Sequence, residues 1–152
     1  MRQGDITRMR NAMLKKQIGT NVNDTAALLQ KAIRMEAADD DGMVRCVTCG
    51  KRVHYTACDG GHYLSRKDAA VIFEETNIHP QCKSPCNRPP PYGLAGNPES
   101  YTRYMENRYG QAEIDRLKAL KRTIRQWTLD ELLSLKIEYK KRIAIQKTRL
   151  NQ

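Results

Sequence analysis

Apolar residues in this chain recur with helical period in its outer stretches, while a polar middle is punctuated by cysteine, glycine and proline. Residues 1–20 are polar, with apolar positions too sparse to set a period. From about Thr25 to Ala38, Leu28, Leu29, Ala32, Ile33 and Glu36 return at three- and four-residue spacing, which predicts a helix capped by Asn23 or Asp24. Asp39, Asp40, Asp41 and Gly42 end it. Residues 43–45 then lead into a cysteine turn, Cys46-Val47-Thr48-Cys49-Gly50. Farther on, Val53 to Tyr55 and His62 to Leu64 read as short strands, and Arg66 to Ile72 as loop or a helical turn. Pro80, Pro85 and Pro89 to Pro91 stop regular structure around a second cysteine pair, with room for a brief helix at Cys86.

The last third is helical in pattern. Asn97 followed by Pro98 and Glu99 is a helix start, and Gly110 a stop. Gln111 to Lys121 carries Ile114, Leu117 and Leu120 at helical spacing. Thr128 to Glu131 forms a capping box that opens a long helix with Leu129, Leu132, Leu133 and Ile137 along one side. The chain thus divides into a polar segment over 1–24, a helix plus a cysteine-rich module over 25–96, and a basic helical tail over 97–152. The fold class is α+β.

With 152 residues there is room for about one domain. No apolar run approaches the roughly 18 residues of a membrane span, and the first residues lack a signal-peptide core, so the expected compartment is a cytoplasm. The net charge of +10 points to a polyanionic partner. It is concentrated in residues 88–152, where 14 lysines and arginines face 7 acids. Aromatic residues are few, which favours contact with a duplex or junction backbone over single-strand base stacking.

Cys46-x2-Cys49 and Cys82-x3-Cys86 bracket 32 residues. Two short cysteine turns are how a chain presents four thiolates to a tetrahedral zinc ion, and a site closed by four protein ligands is structural. Cys58 is left as a spare thiol. His62, Asn77, His79 and Asn87 are the polar residues the two turns bring together. Phosphodiester hydrolysis needs a base of near-neutral pKa and a hard divalent cation. Imidazole suits the first role and carbonyl oxygens the second.

The arrangement resembles the HNH, or ββα-metal, endonucleases, in which a treble-clef zinc knuckle flanks a His…Asn…His/Asn site. The matching elements are Cys46 to Cys49, Gly61-His62-Tyr63, Asn77-Ile78-His79-Pro80-Gln81-Cys82 and Cys86-Asn87. A closer resemblance is to the phage NinG/Rap family of recombination proteins, which adds Tyr101 to Tyr104 and Arg108-Tyr109-Gly110 and covers roughly residues 25 to 122. It implies a small zinc-stapled treble-clef/ββα-metal module flanked by helices. The implied activity is metal-dependent, structure-selective cleavage of branched DNA such as Holliday junctions and D-loops. His62 would be the general base, Asn77 the residue that orients it, and Asn87 a ligand of catalytic Mg2+ or Mn2+. Gly61 stands where many such enzymes carry an acid or histidine as second ligand. The alternatives nearby are His79, Asp59, Glu74 and Glu75, with His79 foremost.

Phosphates would meet Arg66 and Lys67 beside the motif, and Arg103, Arg108, Lys118, Lys121, Arg122 and Arg125 along the tail, unless those cations are solvated partners of Glu106, Glu113 and Asp115. Implied partners are branched or duplex DNA, host or phage recombination proteins and, because two strands are cut, a second copy of the chain. The compartment would be the host cytoplasm. The competing reading is a non-catalytic zinc DNA-binding accessory of recombination, in which the same histidine and asparagines only pack and cap turns. An adaptor for other proteins fits the charge poorly.

Overall fold

A computed structural model describes residues 2–151. Its first element is longer than the periodicity predicts. Helix α1 spans Gln3–Glu36, so Asn23 and Asp24 lie inside it rather than at its cap, and the helix is continuous across the boundary drawn at residue 24. Only its second half is packed: Thr25, Ala26, Leu29, Ala32 and Met35 are buried, at the spacing of one helix face. The first half is almost wholly exposed. Its apolar residues Ile6, Met9, Met13 and Leu14 stay exposed and are too few for periodicity to reveal it. Methionine, leucine, lysine, arginine and glutamine are good helix formers, and they extend a helix nucleated by the packed half.

Two antiparallel hairpins follow. Strands β1 (Met43–Arg45) and β2 (Arg52–His54) pair with Val44 opposite Val53. Strand β3 (Cys58–His62) pairs with β4 (Ile78–Cys82), with Cys58 opposite Cys82 and His62 opposite Ile78. Two expectations are corrected here. The strand near His62 ends at that residue instead of starting there, and Pro80 sits in mid-strand opposite Gly60. Proline is compatible with a strand that has a single neighbour, as β4 does. Cys86 lies in a turn, not a helix.

Helices α2 (Pro98–Tyr109) and α3 (Gln111–Lys121) match their predicted limits and are separated at Gly110, whose φ of 85° suits glycine. Asn97 does not cap α2 with its side chain; it adopts φ 48° and donates Nδ2 to Cys86 Sγ instead. Tyr101, Met105, Ile114 and Leu117 are buried together against Val47, Tyr63 and Leu64. The expected tail is therefore packed onto the cysteine-rich module.

Helix α4 (Leu129–Arg149) opens with the predicted capping box of Thr128 and Glu131. Its buried face keeps Leu132 from the predicted one and adds Tyr139 and Ile143, while Leu133 and Ile137 are more than half exposed. What selects the face is α1, against which α4 lies. Lys136 Nζ donates to Asn21 Oδ1 at 2.6 Å, and Arg142 spans Glu36 and Glu75. Arg149 donates to the carbonyls of Met35 and Ala38, satisfying acceptors at the end of α1. The architecture is mixed α+β, with four helices around two small sheets. Among the described residues no helix is long and apolar enough to cross a membrane.

Candidate functional site

The two cysteine turns converge. The sulfurs of Cys46, Cys49, Cys82 and Cys86 all lie within 4.8 Å of one another, and Cys49 and Cys82 are 3.8 Å apart. Sulfurs bound to one zinc at ~2.3 Å stand about 3.8 Å apart in a tetrahedron, so the four residues can hold zinc. Burial pushes the Cys82 thiol up to about 12 and raises Cys49. Cys46 is also buried, but hydrogen bonds from the Thr48 hydroxyl and nearby backbone amides outweigh that and bring it down to about 6. A zinc ion bound among them would displace the thiol protons and offset the charge of the resulting thiolates. Cys58 lies outside the cluster, its Sγ donating to the Tyr55 carbonyl, and burial pushes it up to about 11. It is an inert packing thiol.

Beside the cluster, a cleft of about 530 Å³ runs past β3 and is lined by Gln30, Asp59, Gly60, Gly61, His62, Arg66 and Asn87, among others. The two glycines are sites of close approach. A Cβ on Gly60 would lie 2.8 Å from Cβ of Gln30 and 2.9 Å from its Cα, so α1 rests directly on the strand there. A Cβ on Gly61 would lie 3.1 Å from Cβ of Gln81 and closer still to its Oε1.

His62 is held at both ring nitrogens. Nε2 lies 3.0 Å from the Ile72 carbonyl, which can only accept, so the proton is on Nε2. In the neutral ring Nδ1 then carries the lone pair, and it accepts from Gln30 Nε2 at 3.3 Å. Burial, assisted by the charge of Arg66, holds His62 below the ordinary imidazole value despite the opposing Ile72 bond. The ring is neutral at pH 7 and has one lone pair in a fixed direction, which is what a general base requires.

Asn77 is fully buried behind this histidine, outside the cleft. Its Oδ1 accepts from Leu64 N at 2.7 Å, and its Nδ2 donates to the carbonyls of Leu64 and Val71. It therefore clamps the loop whose Ile72 carbonyl fixes His62. Asn87 lines the cleft one residue beyond the cysteine cluster, its amide N–H bonded to the Cys82 carbonyl and its Nδ2 to Asp59 Oδ2 at 2.9 Å.

His79 stands elsewhere. It is not among the residues lining the cleft, and both ring nitrogens are engaged by tyrosine hydroxyls. Tyr101 donates its hydroxyl to the Gly61 carbonyl at 2.7 Å, so it accepts from His79 Nδ1 at 3.0 Å. Tyr109 in turn donates to Nε2 at 2.8 Å. The structure thus corrects the placement of His79 beside Asn87: it is a buried hinge pin between β4 and the helices. Glu74 and Glu75 are likewise occupied, by Arg116 and Arg142.

Burial drives His79 down to about 4. In the unfolded chain it titrates near 6.5, so between those values the unfolded state binds the extra proton. The stability that neutral His79 contributes is complete above pH 6.5 and is lost as pH falls toward 4, about 3 kcal/mol in all. Denaturant unfolding at pH 7 and pH 4.5 should show this loss, and a His79→Gln variant should show a shallower acid dependence. An unchanged slope in the variant would refute the assignment.

Of the eight cations expected to meet phosphate, Arg66 alone lines the cleft. Arg103, Lys121 and Arg125 are in ion pairs with Glu99, Asp68 and Glu131, and Arg125 also covers the Trp127 ring at 3.9 Å. Arg108 lies over Tyr109, while Lys67, Lys118 and Arg122 are exposed. Gln30 is the cleft residue that sequence reasoning missed. It carries no local signal, being 32 residues from the histidine it contacts.

The family model described as "Bacteriophage Lambda NinG protein" matches residues 2–148. The chain belongs to the NinG family. Among curated NinG proteins, that of Escherichia phage lambda is 29% identical over 115 residues, covering 75% of this chain and 53% of the relative. That of Salmonella phage P22 is 30% identical over 115 residues, with 75% and 53% covered, and that of Escherichia phage 933W is 29% identical over 115, with 75% and 54%. This NinG-family chain therefore spans about half the length of the curated relatives it matches. No solved structure matches it.

Proposed function

We propose that this NinG-family chain is a metal-dependent, structure-selective endodeoxyribonuclease of HNH, ββα-metal type that acts on branched recombination intermediates. The observation that carries the reading is His62: a neutral imidazole with Nε2–H pinned to a carbonyl and its Nδ1 lone pair meeting Gln30 at the cleft. Zinc on the four cysteines would hold the scaffold. A divalent Mg2+ or Mn2+ at Asn87 would supply charge stabilisation to the phosphate and the leaving oxygen when bound.

The chain's own groups account for the rest. Arg66 offers a cation to the phosphate at the cleft. Gln30 releases Nδ1, which takes a proton from water. The ring becomes cationic, and the Ile72 carbonyl strengthens its bond to Nε2–H as the charge develops. Asn77 keeps that carbonyl in place through the loop it clamps. The preference for branched DNA follows from the family resemblance, and the net charge of +10 supports a nucleic-acid partner.

The test is cleavage of labelled four-way junction, D-loop, duplex and single-stranded DNA by wild type and His62→Ala, in Mg2+, Mn2+ or EDTA. Metal-dependent cutting of branched DNA that the variant lacks is the expected result. Tight junction binding without cutting in any metal, by protein that retains its zinc, would make the chain a binding module.

A further inference from the structure

We propose that Asp59 is the carboxylate ligand of the divalent-cation site, acting with Asn87 in the place that Gly61 leaves vacant; this rests on the nuclease reading above. Gly61 has no room for a side chain, because Gln81 fills the space behind it. The carboxylate must therefore come from another position. Of the four nearby candidates, His79 has both nitrogens bonded to tyrosines, and Glu74 and Glu75 neutralise Arg116 and Arg142. Asp59 is the one that lines the cleft together with His62 and Asn87.

Its bonding suits a metal ligand. Among the described residues the Asp59 carboxylate has no cationic partner and a single hydrogen bond, from Asn87 Nδ2 to Oδ2 at 2.9 Å. That bond sets the two side chains beside each other; with the Asn87 amide turned over, its Oδ1 would stand where Nδ2 now does and could share a cation with the Asp59 carboxylate. A carboxylate at the cleft with no counter-ion among the described residues is open to a hard divalent cation. The spacing is also fixed from outside. Asp59 follows Cys58, which pairs with Cys82 across the sheet, and Asn87 follows Cys86 and bonds back to the Cys82 carbonyl. The cysteine cluster thus anchors both ligands. One carboxylate and one amide oxygen leave most of an octahedron to water and phosphate, the usual pattern for Mg2+.

The test is Mn2+ binding followed by electron paramagnetic resonance of the free ion, in zinc-loaded wild type, Asp59→Asn and His62→Ala, with zinc content and circular dichroism recorded for each. Mn2+ is the probe, with no DNA present. Asp59→Asn should weaken Mn2+ binding about tenfold or more and leave zinc content unchanged, whereas His62→Ala should retain Mn2+. Wild-type protein that binds no Mn2+ at millimolar concentration, or Asp59→Asn that binds as wild type does, overturns the proposal. Should Asp59→Asn lose its zinc, Asp59→Ser is measured in its place under the same criteria. The two readings fail separately. Asp59-dependent Mn2+ binding in protein that cuts no DNA supports the site and sinks the nuclease, while cutting by an Asp59→Asn variant with unaltered Mn2+ affinity does the reverse.

Discussion

Chelation of the metal expected on Cys46, Cys49, Cys82 and Cys86 should unfold the centre of the molecule and abolish the cleft. Cys46, Cys82 and Cys86 form a buried cluster by themselves. The two hairpins are separate two-stranded sheets, and such hairpins are marginal in water unless something ties them to a larger core. The first cysteine pair leads from β1 toward β2 and the second follows from β4, so a metal on all four is the tie. Structural zinc contributes apparent free energies on the order of 10 kcal/mol, comparable to the whole stability of a domain. Zinc release read with a chromophoric indicator should therefore coincide with loss of near-ultraviolet dichroism and a collapse of the melting transition. Metal-free protein that melts as the loaded protein does would remove the zinc scaffold from consideration.

His62→Ala should reduce cleavage by about 10²- to 10⁴-fold, the usual contribution of a positioned general base. The fold should survive, because the change removes two hydrogen bonds at a half-buried position, about 1 kcal/mol each. The pH profile distinguishes a base from a merely structural histidine. Burial lowers the His62 pKa, so the neutral form persists below the ordinary imidazole range. The acidic limb of the wild-type rate should fall at a pH under 6.5 and be absent from the residual activity of the variant. A variant that cuts at the wild-type rate would reduce His62 to packing.

Both predictions depend on features of unequal legibility. The cysteine pairs, the limits of α3 and the capping box of α4 could be read from short windows, because ligand spacing and capping are determined over a few residues. The exposed half of α1 could not be read from periodicity, since no surface opposes it there and only propensity maintains the helix. On α4 the sequence offered more apolar positions than one face can bury. Leu133 and Ile137 are as hydrophobic as Leu132 and Ile143, and the choice between them was made by packing on α1.

The site divides along the same line. The motif around His62, Asn77 and Asn87 was visible as residues at set distances, but their chemistry was not. His79 has the same side chain as His62 and lies in the same motif, yet one is locked among tyrosines and the other stands at a cleft.

By itself the sequence determined that four cysteines would meet and that basic helices would follow them. The tertiary structure alone decided which nitrogen of His62 carries the lone pair, that Gln30 meets it, and that Asp59 stands beside Asn87. Those outcomes depend on hydrogen bonds between residues 10 to 32 positions apart. Only the packing of α1 and of both hairpins around the cluster brings such groups within bonding distance.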